Sequence, residues 1–492
     1  MKRIFLILGV MAFTVSCNDD LTNLNVDPKN PASVPAESLL ANAEKNLFDY
    51  MTSTNVNTNV FRLFSQHWTE TTYLDESRYD VLQRNIGDNT WRTLYRDVLR
   101  DLQEAQKTVM LEEPVTPAEQ AAKNNRLAII ETLNIYTYSV LVDIFGNVPY
   151  SEALDAEGHP TPAYDDAETI YADLFERLDV AIANIDPDGD SFSADVIYGG
   201  DMAQWLKFAN SLKLRMAITV ADAPGLASTA QTAAEEAVAS GVFESTGDSA
   251  TVQYLSVQPN TNPLYEDLVT SGRYDFIAAN TLVDYMNGVN DPRRGLYYTS
   301  VGGAYIGGPY AEGGDFFEYS SAGDPADGDA EHTVLLDPTL EGILMNYIEV
   351  EFLLAEAVER GWSVGGTAAS HYNNAVNASI LYWGGSQADA DAYLLQPSVA
   401  YATAGATWQE KIGMQAWLGL YNRGFEAWTS YRRLDYPQLV APASAVAAAE
   451  GQVPKRITYP VLEQTLNATN YNAAGSAIGG DKLATRLFWD VD

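Results

Sequence analysis

The chain has 492 residues and a formal charge of −37, from 66 acidic against 29 basic side chains. So acidic a surface is repelled by nucleic acid phosphates and by anionic lipid headgroups, and no basic stretch offsets it. One cysteine, Cys17, excludes an intrachain disulfide, so the core has to come from packing, for which 46% hydrophobic residues are ample.

Met1-Lys2-Arg3, the apolar run from Ile4 to Phe13 and the small residue Ser16 form the pattern of a secretory signal over 1–16. The run is too short to cross a bilayer, which takes roughly 20 apolar residues, and no later segment reads as a span. A lone thiol directly after the cut suits acylation, so Cys17 is the expected lipid attachment residue of a membrane-anchored lipoprotein. Residues 17–35 are polar and proline-bearing and predict an extended tether. With no low-complexity linker after them, 36–492 reads as a single domain.

Helical periodicity dominates the rest. Helices are predicted near 35–51, 88–109 and 116–145. The third opens on Thr116-Pro117-Ala118-Glu119 and closes on Gly146-Asn147-Val148-Pro149. Further helices fit 166–184, 201–221, 227–239, 276–287, 341–360, 367–381, 408–421 and 423–433. The pair within 341–381, broken at Gly361 and lined with small alanines, resembles a tetratricopeptide unit of about 34 residues. Between the helices, 186–200, 240–275 and 288–340 read as long loops, and the aromatic content of 297–319 points to an ordered functional segment. The fold class is therefore mostly α, a tetratricopeptide-like helix-pair scaffold with loop-rich insertions.

In order along the chain stand Leu24-Asn25-Val26-Asp27-Pro28, Leu141-Val142-Asp143-Ile144-Phe145-Gly146-Asn147-Val148-Pro149-Tyr150, Trp205-Leu206-Lys207-Phe208-Ala209-Asn210, Glu349-Val350-Glu351-Phe352-Leu353-Leu354-Ala355-Glu356-Ala357, Gln415-Ala416-Trp417, Glu426-Ala427-Trp428 and Tyr431-Arg432-Arg433. This succession resembles the SusD/RagB family of outer-membrane nutrient-binding lipoproteins, in its SusD-like 2 branch. Asn18-Asp19-Asp20 likewise resembles the acidic surface-export signal of Bacteroidota lipoproteins. The resemblance implies four tetratricopeptide-like units and a place on the outer face of the outer membrane. It also implies a SusC-like TonB-dependent transporter as partner and glycan or oligopeptide as ligand. The charged residues of these motifs, Asp143, Lys207, Arg215, Glu349, Arg432 and Arg433, lie among apolar helix positions and are expected in interhelical ion pairs and caps.

No catalytic or cofactor fingerprint is present: no Gly-x-Ser-x-Gly elbow, Walker loop, dinucleotide motif or His-Glu-x-x-His. The chain is expected to be a binding protein and not an enzyme, with no cofactor and no metal. Asp186-Pro187-Asp188-Gly189-Asp190 has Ser191 and Ile197 where a calcium loop needs its glycine and terminal carboxylate, and the cluster Asp324, Asp327, Asp329, Glu331 is as nonspecific; both read as solvated loops. A sugar presents a flat apolar face and a rim of hydroxyls, so its site calls for aromatic rings beside amides, carboxylates or arginine. Two stretches offer this. The first holds His67, Trp68, Tyr73, Arg78 and Tyr79. The second holds Tyr305, Tyr310, Phe316, Phe317 and Tyr319, preceded by Tyr297 and Tyr298. Trp91, Trp205, Trp417 and Trp428 sit on helix faces and are expected in the core.

Overall fold

A computed structural model describes residues 34–324, 326 and 332–491. Cys17, the tether up to residue 33 and the acidic residues Asp327, Asp329 and Glu331 lie outside them. The long helices are α1 (Ala36–Thr52), α2 (Ile86–Arg92), α3 (Arg100–Met110), α4 (Pro117–Phe145), α5 (Ala167–Ala183), α6 (Met202–Thr219) and α7 (Ala227–Ser240). They continue with α8 (Asn280–Gly288), α9 (Tyr347–Glu359), α10 (Ala368–Tyr382), α11 (Gln387–Leu394), α12 (Trp408–Gly419), α13 (Gly424–Leu434) and α14 (Ala468–Ala477). Helices α2 and α3 form one rod through a π-helical stretch, Thr93–Leu99.

Among the described residues, α4 with α5, α6 with α7, α9 with α10 and α12 with α13 pack as consecutive helix pairs. Their connectors, 146–166, 220–226, 360–367 and 420–423, differ widely in length. That hides the repeat in the sequence although the packing unit recurs. Helix α4 begins in a capping box in which Thr116 and Glu119 satisfy each other's backbone N–H groups, and it ends on Gly146 at φ 83°. By length and composition α4 would pass for a membrane span, a reading that periodicity alone did not give. The fold buries 89% of its most apolar window inside the protein.

Two apolar clusters fill the interior. One gathers α1, α3, α4, α5, α6 and α7; the other gathers α8, α10 and α12 with Trp68, Tyr297 and Tyr421. They meet along α9, whose Val350, Leu353 and Leu354 face the first and whose Ile348, Phe352 and Ala355 face the second. A helix apolar on every side has to be enclosed on every side. Helix α13 straddles the same seam. Its Gly424 touches the one-turn helix Phe61–Phe64 so closely that a Cβ would stand 2.4 Å from the Arg62 amide nitrogen.

The seam also holds the buried charges. Glu349 accepts from Arg215 through Nε and Nη2 at 2.6 and 2.8 Å, and from Arg423 Nη1 at 2.7 Å. Both arginines donate a further bond to the Leu344 carbonyl at 2.9 Å. Burial alone would raise the Glu349 carboxyl, but Arg215 and then Arg423 hold it below the usual carboxylate range. Arg433 pairs with Glu356 at 2.9 Å and Lys207 with Asp248 at 3.0 Å, as expected for interhelical ions. The Asp143 carboxylate bonds side chains instead, and Arg432 caps the end of α4. Asp143 accepts from Tyr171 and Trp489, while Arg432 lies between Trp428 and Trp489 and donates to the Asp143 and Lys455 carbonyls.

Short strands tie the insertions to this scaffold. Strand β1 (Trp68–Glu70) runs antiparallel to β3 (Phe276–Ala278), and β2 (Ala250–Val252) to β4 (Gly342–Met345). Both β3 and β4 correct the sequence reading, which assigned 276–287 and 341–360 wholly to helix. In each case a three- or four-residue apolar strand runs straight into the helix that follows, and its period is too short to separate.

Replacing Glu349 with glutamine leaves two buried guanidiniums facing a neutral amide. Breaking a buried pair in this way costs about 3–5 kcal/mol. Urea unfolding should show a loss of that order; a loss below about 1 kcal/mol would mean that water reaches the seam and compensates.

Candidate functional site

Past Glu70 and before Phe276 the strands β1 and β3 leave their sheet at the same end. The Thr71 amide donates to the Asp275 carbonyl at 2.9 Å, and the Thr71 hydroxyl to the Tyr274 carbonyl at 3.1 Å. The Asp275 carboxylate, 3% exposed, then closes the junction. It accepts from the Thr72 amide at 3.0 Å, the Tyr73 amide at 3.4 Å and Arg273 Nη2 at 3.0 Å. Arg273 is thereby laid over the Tyr73 ring, 4.9 Å from its centroid.

A third segment joins from the glycine-rich loop. The Gly314 amide donates to the Thr71 carbonyl at 3.1 Å. Gly313, at φ 78°, approaches so closely that a Cβ would meet the same carbonyl oxygen at 2.9 Å. Asp315 then caps the short turn Phe316–Glu318 by accepting from the Phe317 amide. The turn brings Phe316 and Phe317 against Tyr274, each with ring centroids 5.2 Å apart, and against each other at 5.3 Å. The Tyr274 hydroxyl donates to Asp324 at 2.9 Å. Upstream, the loop is fixed to the end of β3: the Gly308 amide donates to the Ala278 carbonyl, and the Gly308 carbonyl accepts from the Asn280 amide, both at 2.9 Å.

The result is an exposed aromatic patch in two parts joined through the backbone: Tyr73 beneath Arg273, and Tyr274 against Phe316 and Phe317. Tyr73 is 52% and Phe317 58% exposed, unusual for rings held this firmly. Patches of this kind bind partners or ligands with flat apolar faces. The arginine supplies donors at the rim, of which Asp275 uses one.

The structure unites the two predicted stretches but redistributes their residues. Tyr73, Phe316 and Phe317 stand in the patch. Tyr319 is half-buried and supports it from within the loop, its ring 2.7 Å from where a Gly314 Cβ would lie. Of the others, His67, Trp68 and Tyr79 are buried and are corrected to packing roles, while Arg78, Tyr305 and Tyr310 are half-buried. His67 is fully buried, bonded to the Trp417 carbonyl at 2.9 Å and packed at a tilt between Trp417 and Tyr421; burial lowers its pKa to about 3, so it is neutral. Trp68, 3% exposed, donates to the Tyr421 hydroxyl at 2.9 Å and lies against Phe276. Tyr79 is fully buried, its phenol pushed up to about 12 by burial, and packs on Tyr310, whose hydroxyl donates to the Leu63 carbonyl. Arg78 donates to the Ala311 carbonyl, and Tyr305 lies under Arg294. Tyr297 and Tyr298 are buried around Tyr421. Trp205, Trp417 and Trp428 are core residues as expected, and Trp91 packs against the first cluster.

Arg273 and Tyr274 were missed by sequence reasoning, because they fall in a stretch with no pattern of its own. Their one signal is the succession Gly272-Arg273-Tyr274-Asp275 directly before an apolar strand. Beneath the patch, burial and then Glu76 push the Glu70 carboxyl well above its ordinary range, while Ser77 donates to it through both its amide and its hydroxyl. Of the two acidic runs, Asp186 turns inward on the Asp188 amide and its carbonyl accepts from Asn125. Among the described residues no three acidic, histidine or cysteine side chains converge as metal ligands.

A SusD-like family model described as starch-binding and associating with the outer membrane matches residues 28–460. Among solved structures, a chitin-binding protein is 28% identical with a TM-score of 0.78, over 93% of this chain and 100% of that one. A chitin-binding SusD homolog from Flavobacterium johnsoniae is 25% identical with a TM-score of 0.74, over 92% and 99%. A SusD-like protein from Bacteroides thetaiotaomicron is 27% identical with a TM-score of 0.74, over 92% and 98%. No curated protein matches.

Truncating Trp68 to alanine should cost about 3–5 kcal/mol of stability, as for a large ring removed from a core. Tyr73→Ala should stay within about 0.5 kcal/mol. Thermal unfolding of the two variants checks this; equal melting temperatures would place both rings in the same environment and contradict the assignment.

Proposed function

The chain belongs to the SusD-like family, and we propose that it is a cell-surface lipoprotein that binds glycan and passes it to a SusC-like TonB-dependent transporter. The observation that carries this reading is the pinned aromatic patch with Arg273 at its rim. Flat rings stack on the apolar face of a sugar without demanding one stereochemistry, while guanidinium and carboxylate groups bond its hydroxyls. Similarity to two chitin-binding structures and to a family described as starch-binding supports glycan over other ligands.

Anchoring would come from the acylated Cys17, and residues 17–35 would keep the folded part, a single domain over 36–492, close to the transporter. Tethering raises the effective concentration for closure over a barrel. The acidic surface suits a barrel rim of opposite charge.

Isothermal titration with neutral oligosaccharides, the hexamer of N-acetylglucosamine first, tests the ligand. Tyr73→Ala and Phe317→Ala should each weaken binding by about 1–2 kcal/mol, a factor of about five to thirty, at unchanged melting temperature. Unchanged affinity in both variants would contradict the assignment of the patch, and binding of peptides alone would contradict glycan as the ligand. The anchor is tested separately. Cys17→Ala should abolish lipidation and release the chain from the outer membrane of cells lacking the transporter; retention there would refute lipid anchoring.

A further inference from the structure

The geometry points to a second saccharide site, in a cleft of about 370 Å3 where the β2–β4 sheet meets α9 and α10. It is lined by Ser249, Thr251, Glu341, Asn346, Tyr347 and Tyr382 and shares no residue with the aromatic patch. Its volume lies at the lower end of ligand pockets, which run about 300–1,000 Å3, so it suits a terminal sugar ring more than a long chain.

The decisive group is Asn346. It is 5% exposed, and its orientation is fixed from behind. Its Oδ1 accepts from the Glu349 amide at 3.0 Å, as the cap of α9, and from Arg423 Nη1 at 3.1 Å. Two donors on the oxygen leave no freedom for an amide flip. Among the described residues no acceptor takes the Nδ2 hydrogens, and Asn346 lines the cleft. With Oδ1 fixed from behind by the ion network of the seam, the Nδ2 of this cleft-lining side chain is left as a positioned donor. Such a group has to be satisfied by water or by a ligand acceptor.

The rest of the lining completes a sugar-like inventory. The Ser249 hydroxyl accepts from the Tyr347 amide at 3.2 Å and keeps its own hydrogen to donate. Thr251 adds a second hydroxyl, and Glu341, beside the Tyr382 phenol, an acceptor. Tyr347 and Tyr382 are half-buried rings. One carboxylate and no cation line the cleft, because Arg423 stands behind Asn346 and is bound by Glu349 and Glu426. That lining disfavours an anionic ligand and suits an uncharged hydroxylated one.

The inference does not rest on the patch, and the test separates the two. Titrations use neutral hexamers of N-acetylglucosamine, glucose, xylose and mannose on the full folded chain, wild type and a Tyr73→Ala/Phe317→Ala double variant. The double variant should retain a weaker class of site for at least one hexamer. Adding Tyr382→Ala, or Thr251→Phe to fill the cleft, should weaken that remainder at least tenfold at unchanged melting temperature. Thr251→Phe guards against a folding defect in Tyr382→Ala, since phenylalanine is well tolerated in a strand. Binding lost entirely in the double variant would overturn the second site and leave the patch standing. Residual binding indifferent to both cleft substitutions would also overturn it. Failure of the wild type to bind any hexamer would overturn this site and the glycan reading together.

Discussion

One buried carboxylate gives the helical scaffold its exposed aromatic patch. Asp275 holds the backbone of Thr72 and Tyr73 and the side chain of Arg273, and so locks together two segments paired through a three-residue ladder. So short a ladder is marginal by itself. The charge-assisted bonds to Asp275 and the Thr71–Gly314 contact extend it beyond its last paired residues. Rings placed this way lose little freedom when a ligand arrives, which is what lets an exposed aromatic surface bind tightly.

Beneath that surface the scaffold handles charge differently. Glu349 is shared by Arg215 and Arg423 at the seam of the two apolar clusters, where the demand is geometric: both arginines also cap the Leu344 carbonyl near the end of β4. The same network fixes Asn346. Buried ions that look purely structural therefore also orient a polar group toward solvent-accessible space, linking core packing to the chemistry of a cleft.

How much of this was legible in the sequence follows from distance along the chain. Helices with sustained periodicity and clear caps, α4 and α5 above all, emerge within a residue or so of their bounds. Strands β1 and β3 do not, because three residues carry no period and Phe276-Ile277-Ala278 merges with α8. The candidate regions were found and their residues only partly so. Trp68 and Tyr73 have the same chemistry on paper. What separates them is Tyr421, 353 residues from Trp68, whose hydroxyl accepts from the indole and draws it into the core. Tyr274 gains meaning only from Phe316 and Phe317, partners some forty residues away that no local pattern could supply.

Sugar stacking over the patch is tested by a crystal structure with a bound oligosaccharide of N-acetylglucosamine. Stacking places a pyranose ring in van der Waals contact with Tyr73 or Phe317, with Arg273 bonded to its oxygens and the Asp275 junction unchanged. A saccharide seated elsewhere with the patch bare, at concentrations that saturate binding in solution, would contradict it.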